Sequence, residues 1–552
     1  MAEPISSSAK PGRFFLIIQG LLFIAGIAAL FFLLTNGIPL VQLGWMKDLG
    51  KKSKYLRLML IFVPVFAGLM FLAWWKCREV FEKSIWVRLW RAVCRMPLRV
   101  TAPVFFLIYA AIMTWVGFER HLALETRAFD LGIFAQAVWN TLQGDFLFSS
   151  IKENINLMGD HVSPILLVTA PFYAIWPDPR MLVLLQAVAA ASSFFPLALI
   201  ARDKLRDRSW VLILLLMFFF YQPMRAALHE DFHPELLVEP FLWWAFFFLD
   251  RGKTVRFLAC LAVAATGKEN FLGITFVLGF YAFVWKKMRW TGVAVMFLSV
   301  TVLLWETKWL VPRLSGTAYF YGGNYAKMLA DPVHGVVLKL LSAESAEYAF
   351  KIFVPFLFMP FFHLPTLLLV FPILFQNLLS GNAAMRSFNY HYAAGMTPFL
   401  FIATIFAAAY LRGRHEWFRK HWTLIGFLLL FAAILRSGPS EYWYFWNSYS
   451  HRTPHTEIVR QKLQEIGPEA RVLTHNSLIP QICNRKYIYQ FNYNPAPDKL
   501  AFASKYDPDL VIWDLSWWEP GTEALEPTLE KFRGAGYAVD FEQDGFYVLK
   551  KT

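Results

Sequence analysis

Phe257–Trp285 reads FLACLAVAATGKENFLGITFVLGFYAFVW, nearly 30 residues whose only charges are the adjacent Lys268 and Glu269. A single helix crosses the hydrocarbon core of a bilayer in about 20 residues. The stretch is therefore too long for one helix, and it is read as two short helices broken near Gly267. So apolar a run, interrupted by one charged tetrad, makes the chain a membrane protein and the tetrad a place that needs a reason. The whole composition agrees: 57% of residues are hydrophobic, 18% aromatic and 17% charged, where soluble domains carry about 25% charged residues. Mean hydropathy is +0.43. Soluble, disordered, collagen-like and nucleic-acid-binding classes are excluded together. The four cysteines (Cys77, Cys94, Cys260, Cys483) fall at no metal-ligand spacing and predict no disulfide framework.

Working outward, spans are expected near 14–34, 56–75, 101–118, 180–200, 210–228, 236–250, 290–306, 393–411 and 421–436. A second overlong run, 351–379, is again read as two short helices, broken at Pro360–Pro365. The net charge of +14 sits in short basic clusters. Those at Lys76–Arg99, Arg202–Arg208, Arg251–Arg256, Lys286–Arg289 and Arg412–Lys420 are expected on the cytoplasmic side. The loop 119–161, the turn 229–235, the loops 307–350 and 380–392 and the tail from about 437 then lie outside. Counting His161–Trp176 as a span would move Arg202–Arg208 outside, so this Pro-rich segment is read as an interfacial or re-entrant helix. The fold class is mostly α: a polytopic transmembrane helical bundle of roughly 12 to 14 spans, in the inner or plasma membrane. Residues 1–100 form a two-helix membrane extension and 101–436 the main transmembrane domain. Past an aromatic belt at Glu441–Trp446, residues 437–552 make a small extracytoplasmic α/β domain. Its strands are expected at Arg471–Thr474, Lys486–Gln490, Leu510–Trp513 and a Tyr537–Leu549 hairpin turning at Gln543-Asp544-Gly545, with helices at Glu457–Ile466 and Thr522–Phe532.

Ionisable groups beside a membrane are costly and each needs a partner, water or a task. Four places hold them on the expected outer face. Asp130 opens an amphipathic pattern, Leu131/Phe134/Val138/Leu142, and is either a helix N-cap or functional. Asp160 and His161 head the interfacial helix as a cap, a metal half-site, or a base with its orienting partner. Glu230, Asp231, His233 and Glu235 crowd one turn with His229. Lys268 either pairs with Glu269 or faces the phosphate of a lipid-borne ligand. Arg386, Tyr390 and His391 are weaker candidates of the same kind. No cofactor signature is present beyond the chance of a divalent cation among Asp160, His161, His233 and Glu235. Carboxylates, histidines and a lysine from distant segments thus meet one leaflet beside an apolar bundle, as a lipid-phosphate ligand requires.

The stretches Ala128–Trp139, Gly159–Pro164, Phe232–Glu235 and Lys268-Glu269 resemble the domain-of-unknown-function 2079 family of predicted membrane proteins. The tail pattern, Asn484-Arg485 followed by Pro508–Ile512, is similar as well. A more distant likeness is to GT-C glycosyltransferases of the protein mannosyltransferase and aminoarabinose transferase type. Those enzymes place a catalytic Asp in the first large outer loop, ahead of a helix ending in Gly-Asp, as Asp130 stands ahead of Gly144-Asp145. They share the interfacial helix and a Lys in the position of Lys268, but carry an acidic residue where this chain has Leu131.

That likeness implies a GT-C-like transferase moving sugar from a polyprenyl-phosphate donor in the membrane to an extracytoplasmic glycan, lipid or protein hydroxyl. Asp130 would be the general base, and Lys268 would hold the leaving phosphate. Asp160, His161, His233 and Glu235 would shape the acceptor pocket or hold a divalent ion. Two other readings stay open: a non-enzymatic carrier of an anionic lipid or ion, and an inactive scaffold, which Leu131 favours.

Overall fold

The computed structural model describes residues 85–320, 328, 330–437, 452–491, 499–517 and 525–552, all within one compact unit, Ile85–Thr552. The first two expected spans and the aromatic stretch 441–446 lie outside these residues. Helices dominate: α1 (Ile85–Arg95), α2 (Leu98–Leu122), α3 (Ile133–Leu142), α4 (Leu166–Ile175), α5 (Arg180–Ser192), α6 (Phe194–Leu205), α7 (Arg208–Phe220), α8 (Gln222–His229), α9 (Pro234–Asp250), α10 (Thr254–Ala265), α11 (Phe271–Val284) and α12 (Arg289–Trp305). After broken turns over 354–370 come α13 (Phe371–Leu379), α14 (Thr397–Arg414) and α15 (Trp422–Ser437). Among the described residues five continuous helices are long and apolar enough to cross a membrane: Leu98–Leu122, Arg180–Leu205, Arg208–His229, Arg289–Ser315 and His391–Arg414.

Burial sorts these five. Arg208–His229 and His391–Arg414 have 83% of their apolar stretch buried and form the centre, whereas Arg289–Ser315 has 17% and stands at the rim. Local chemistry sets the ends. The side chain of Asp207 accepts from the backbone N–H of Ser209 (2.9 Å) and Trp210 (3.3 Å), starting α7 with an N-cap. Its other oxygen accepts from Trp422 Nε1 (2.7 Å), and the Trp210 and Trp422 rings stack at 4.0 Å, tying α7 to α15.

The overlong run that opened the sequence reading is indeed two helices, α10 and α11, with Thr266–Asn270 between them. Gly267 is required there: a Cβ would lie 2.3 Å from Val238 Cγ2 of α9. The backbone thus closes on α9, and Lys268 and Glu269 emerge at the break. Segment 351–379 is likewise interrupted, by 3₁₀ turns at Val354–Phe356 and Met359–Phe362. α4, ten residues and hence about 15 Å long, is too short to cross a bilayer.

The basic clusters gather at one end of the bundle. Lys204 after α6 and Lys286 after α11 both pair with Asp250 at the end of α9, each at 2.7 Å. Arg251 pairs with Asp203, and Arg412 of α14 donates to the carbonyl of Leu205 (2.7 Å).

Between α3 and α4, β1 (Phe148–Ser149) pairs antiparallel with β2 (Ile155–Asn156). After α16 (Pro454–Gln464), a five-stranded sheet runs in the order β4-β3-β5-β7-β6, where β3 is Val472–Thr474, β4 Ile488–Gln490, β5 Leu510–Asp514, β6 Tyr537–Gln543 and β7 Phe546–Lys551. β3 is parallel to β4 and β5; β7 is antiparallel to β5 and β6. The β6–β7 hairpin turns at Asp544 (φ 50°) and Gly545 (φ 77°), two successive left-handed residues that suit a tight hairpin. Alternation gives the sheet two buried faces. Leu473, Val511, Trp513, Tyr547 and Leu549 pack with Leu529 and Phe532 on one side. Val472, Ile512 and Val548 face Leu131, Ile133 and Val138 of the Asp130 segment through Leu478 and Ile479 on the other.

Candidate functional site

Asp130 does not cap a helix. It lies inside a π-helical turn, Ala128–Gly132, that runs directly into α3, and no side chain caps that turn or α3 at its N-cap position. The expected N-cap reading fails because the turn begins ahead of Asp130: the Gly132 and Ile133 N–H groups it would cap donate instead to the carbonyls of Arg127 (3.0 Å) and Ala128. The Ala128 N–H donates to Asn476 Oδ1 (2.6 Å), from the loop after β3. The Arg127 N–H donates to Asp231 Oδ2 (2.7 Å). With its amides held by two remote side chains, the turn is fixed and the Asp130 carboxylate is left over. Single π turns inside helices are often found at functional sites.

Around it every other expected carboxylate is engaged. Asp231, whose backbone takes the left-handed φ of 65°, pairs with Arg120 Nη1 (3.1 Å). Its carbonyl accepts from the Gln186 amide, whose oxygen accepts from His233 N–H (3.1 Å), so one buried glutamine pins the 229–235 turn. Glu230 Oε2 lies 3.0 Å from His391 Nδ1, accepts the His391 N–H at 2.7 Å, and is 3.5 Å from His233 Nε2. The His233 and His391 rings stack at 3.6 Å. Glu235, in the first turn of α9, pairs with Lys268 Nζ (3.1 Å) and lies 3.9 Å from His391 Nε2. Lys268 therefore meets Glu235 rather than its chain neighbour. Glu269 turns the other way, to His161 Nδ1 (2.7 Å), the Val162 N–H (3.2 Å) and Tyr319 OH (2.7 Å). Asp160 pairs with Lys152 (2.8 Å) and does not cap α4, whose N-cap makes no side-chain bond.

Residue by residue, these contacts join Asp160-His161, Lys268-Glu269, the 230–235 turn and His391 into one polar network. Arg386 is directed elsewhere, donating to the Ser380 carbonyl (2.7 Å). The three ligand-type side chains brought together closely are Glu230, His233 and His391, with atoms within 4.8 Å of one another. This set shares only His233 with the cation set expected from sequence: Asp160 and His161 are occupied with Lys152 and Glu269. Sequence reading missed Arg120, Gln186 and Asn476. Arg120 had a visible signal, an arginine in the last turn of a long apolar helix. Asn476 had none, since its partner is 348 residues away.

Electrostatics separate Asp130 from the rest. It is half-buried, and among the described residues its carboxylate makes no hydrogen bond or ion pair. Burial pushes its pKa up to about 7, with the nearby charges of Asp231 and Glu230 adding to the rise and those of His233 and Lys268 opposing it. Glu230 is moved the other way: burial would raise it, but hydrogen bonds from His233 and His391 hold it well below the usual carboxylate range. A carboxylate without a partner, ringed by paired ones, can take a proton from a ligand; its neighbours are committed to holding the frame.

A sequence profile described as "Predicted membrane protein (DUF2079)" matches residues 120–548. No curated protein matches the sequence. Among solved structures the chain is similar to ArnT from Cupriavidus metallidurans, both bound to undecaprenyl phosphate and in the apo state. Identity is 13% in each case, over 81% of this chain and 97% and 98% of those chains, with a TM-score of 0.49.

Proposed function

Because this chain belongs to the DUF2079 family of predicted membrane proteins, and its polar network leaves one carboxylate uncommitted, we propose that it is an integral-membrane glycosyltransferase. The donor is a polyprenyl-phosphate sugar and the acceptor an extracytoplasmic hydroxyl. Asp130 takes the acceptor's proton as the hydroxyl oxygen bonds to the anomeric carbon. The bond from that carbon to the donor phosphate breaks, the electron pair leaving with the phosphate. Lys268 offsets the charge that gathers there. The observation that carries the reading is Asp130, without a partner among the described residues and with its pKa raised to about 7, since a general base works best near the operating pH.

Outer placement of the site, and of the sheet that packs on it, is supported by charge. Glu235 at the start of α9 belongs to the polar network, while Asp250 at its end anchors Lys204 and Lys286. Fifteen residues of helix separate them by about 22 Å, and basic loops stay cytoplasmic.

The test uses purified protein in lipid nanodiscs with a radiolabelled polyprenyl-phosphate sugar. Asp130→Asn is expected to lose transfer by about 10²–10⁴-fold, the usual contribution of general-base catalysis, with unchanged elution and thermal unfolding. Transfer by the variant at the wild-type rate would refute the assignment.

A further inference from the structure

We propose that Glu230, His233 and His391 form a binding site for one divalent transition-metal ion, with zinc the best match to two imidazoles and one carboxylate. The inference goes beyond the transferase reading and does not depend on it. Two segments far apart in the chain supply the ligands: the turn between α8 and α9, with Glu230 and His233, and the 3₁₀ turn His391–Met396 before α14. Their ligand atoms already lie within 4.8 Å of one another, with the closest pair, Glu230 Oε2 and His391 Nδ1, at 3.0 Å. Neighbouring ligands of a tetrahedral zinc ion, bound at about 2.0–2.1 Å, are about 3.3 Å apart. Coordination requires the His233 ring to turn out of its stack on His391 and its nitrogen to close from within 4.8 Å to about 3.3 Å.

The surroundings are those of a metal ligand set. A coordinating histidine usually presents its other ring nitrogen to a carboxylate, which fixes the tautomer. His391 Nε2 faces Glu235 Oε1 at 3.9 Å, and Glu235 is itself held by Lys268 at 3.1 Å. The backbone is prepared as well: Gln186 accepts the His233 N–H (3.1 Å), and Glu230 accepts the His391 N–H (2.7 Å). His233 Nε2 now meets the Glu230 carbonyl at 2.7 Å. On binding, the neutral ring takes the tautomer with its single proton on Nδ1, so that Nε2 is free of its proton and of this contact. Three protein ligands leave a fourth position for water or substrate, as catalytic zinc sites do.

The experiment reads metal, not turnover, so its failure is distinct from failure of sugar transfer. Full-length protein is stripped with chelator, equilibrated with zinc alone, and its zinc content measured by mass spectrometry after gel filtration. Cobalt alone, in parallel, reports coordination geometry through its visible absorption. The expected result is one zinc per chain, with affinity reduced at least tenfold in Glu230→Gln and in His391→Gln. Asp160→Asn and His161→Ala, which alter the neighbouring pairs, should keep full occupancy. Should the glutamine variants unfold, the wild-type cobalt spectrum decides: a tetrahedral signature upholds the site. Wild-type protein that retains no stoichiometric zinc, or variants of both ligands that bind as the wild type does, would overturn it.

Discussion

Asp130 differs from the acidic residues around it in that, among the described residues, its carboxylate has no partner. Asp231 neutralises Arg120, Glu235 neutralises Lys268, and Glu230 is spanned by two imidazoles. A group titrating near 7 makes the proposed reaction pH-dependent in a definite direction. The base acts only when ionised, so the single-turnover rate should fall about tenfold for each unit of pH below 7 and level off above it. A pH–rate profile flat from 5 to 8 would remove Asp130 from the role of base. Lys268 shows what single-residue reasoning can and cannot see. Its presence in an apolar run marked it as needing a partner. Adjacency suggested Glu269, yet at a helix break consecutive side chains diverge, and the partner is Glu235 from the facing helix.

At the scale of elements, the π turn that carries Asp130 depends on an acceptor in another part of the fold. Asn476→Ala would leave the buried Ala128 N–H unpaired, a loss of about 1–3 kcal/mol, and would free the turn to relax. Thermal unfolding should fall accordingly and transfer should fall further. Asn476→Asp, which keeps an acceptor oxygen, should recover more of the rate than Ala does; equal rates in the two variants would count against the positioning role. The helices and strands were legible because their signals are local. The apolar runs gave α2, α7 and α14, the misplaced Lys268-Glu269 gave the break between α10 and α11, and Asp544-Gly545 gave the hairpin. The π turn was not legible, since Asp before an apolar run is the ordinary N-cap pattern, and the acceptor that holds the turn's Ala128 amide comes from 348 residues away.

In the sheet, His455 of α16 lies between Asp514 (3.1 Å) and Asp544 (3.0 Å). Burial would lower its pKa, but the two carboxylates raise it above the usual histidine value. Its folded pKa exceeds its unfolded one, so the stabilisation is complete below about 6.5 and disappears as pH rises through the folded value. The difference in unfolding midpoint between wild type and His455→Gln should therefore shrink from pH 6 to pH 9; a constant difference would exclude the ion pairs as its source.

At the largest scale, the unit Ile85–Thr552 has a polar end and a basic end joined by apolar helices, with α12 largely exposed. Leu298, 57% exposed on α12, and Ile213, fully buried on α7, should behave oppositely in a bilayer. In a background with the native cysteines replaced, a nitroxide at Leu298→Cys should be open to dissolved oxygen and closed to a water-soluble relaxant. At Ile213→Cys it should be shielded from both. Strong access of the aqueous relaxant to position 298 would contradict a lipid-facing α12. The sheet is equally part of the whole. Gln136 donates to the carbonyl of Arg485 (3.0 Å), Ser150 and Ile488 exchange bonds at 2.8 Å, and Tyr173 donates to Asn484 (2.6 Å). These staples have a consequence for biogenesis. The segment bearing Asp130 leaves the ribosome early, but the side chain that locks it is made 348 residues later. A nascent chain interrupted before Asn476 would carry the helices of the bundle up to α15 with the Ala128 amide still unheld, so that the turn is completed only late in synthesis.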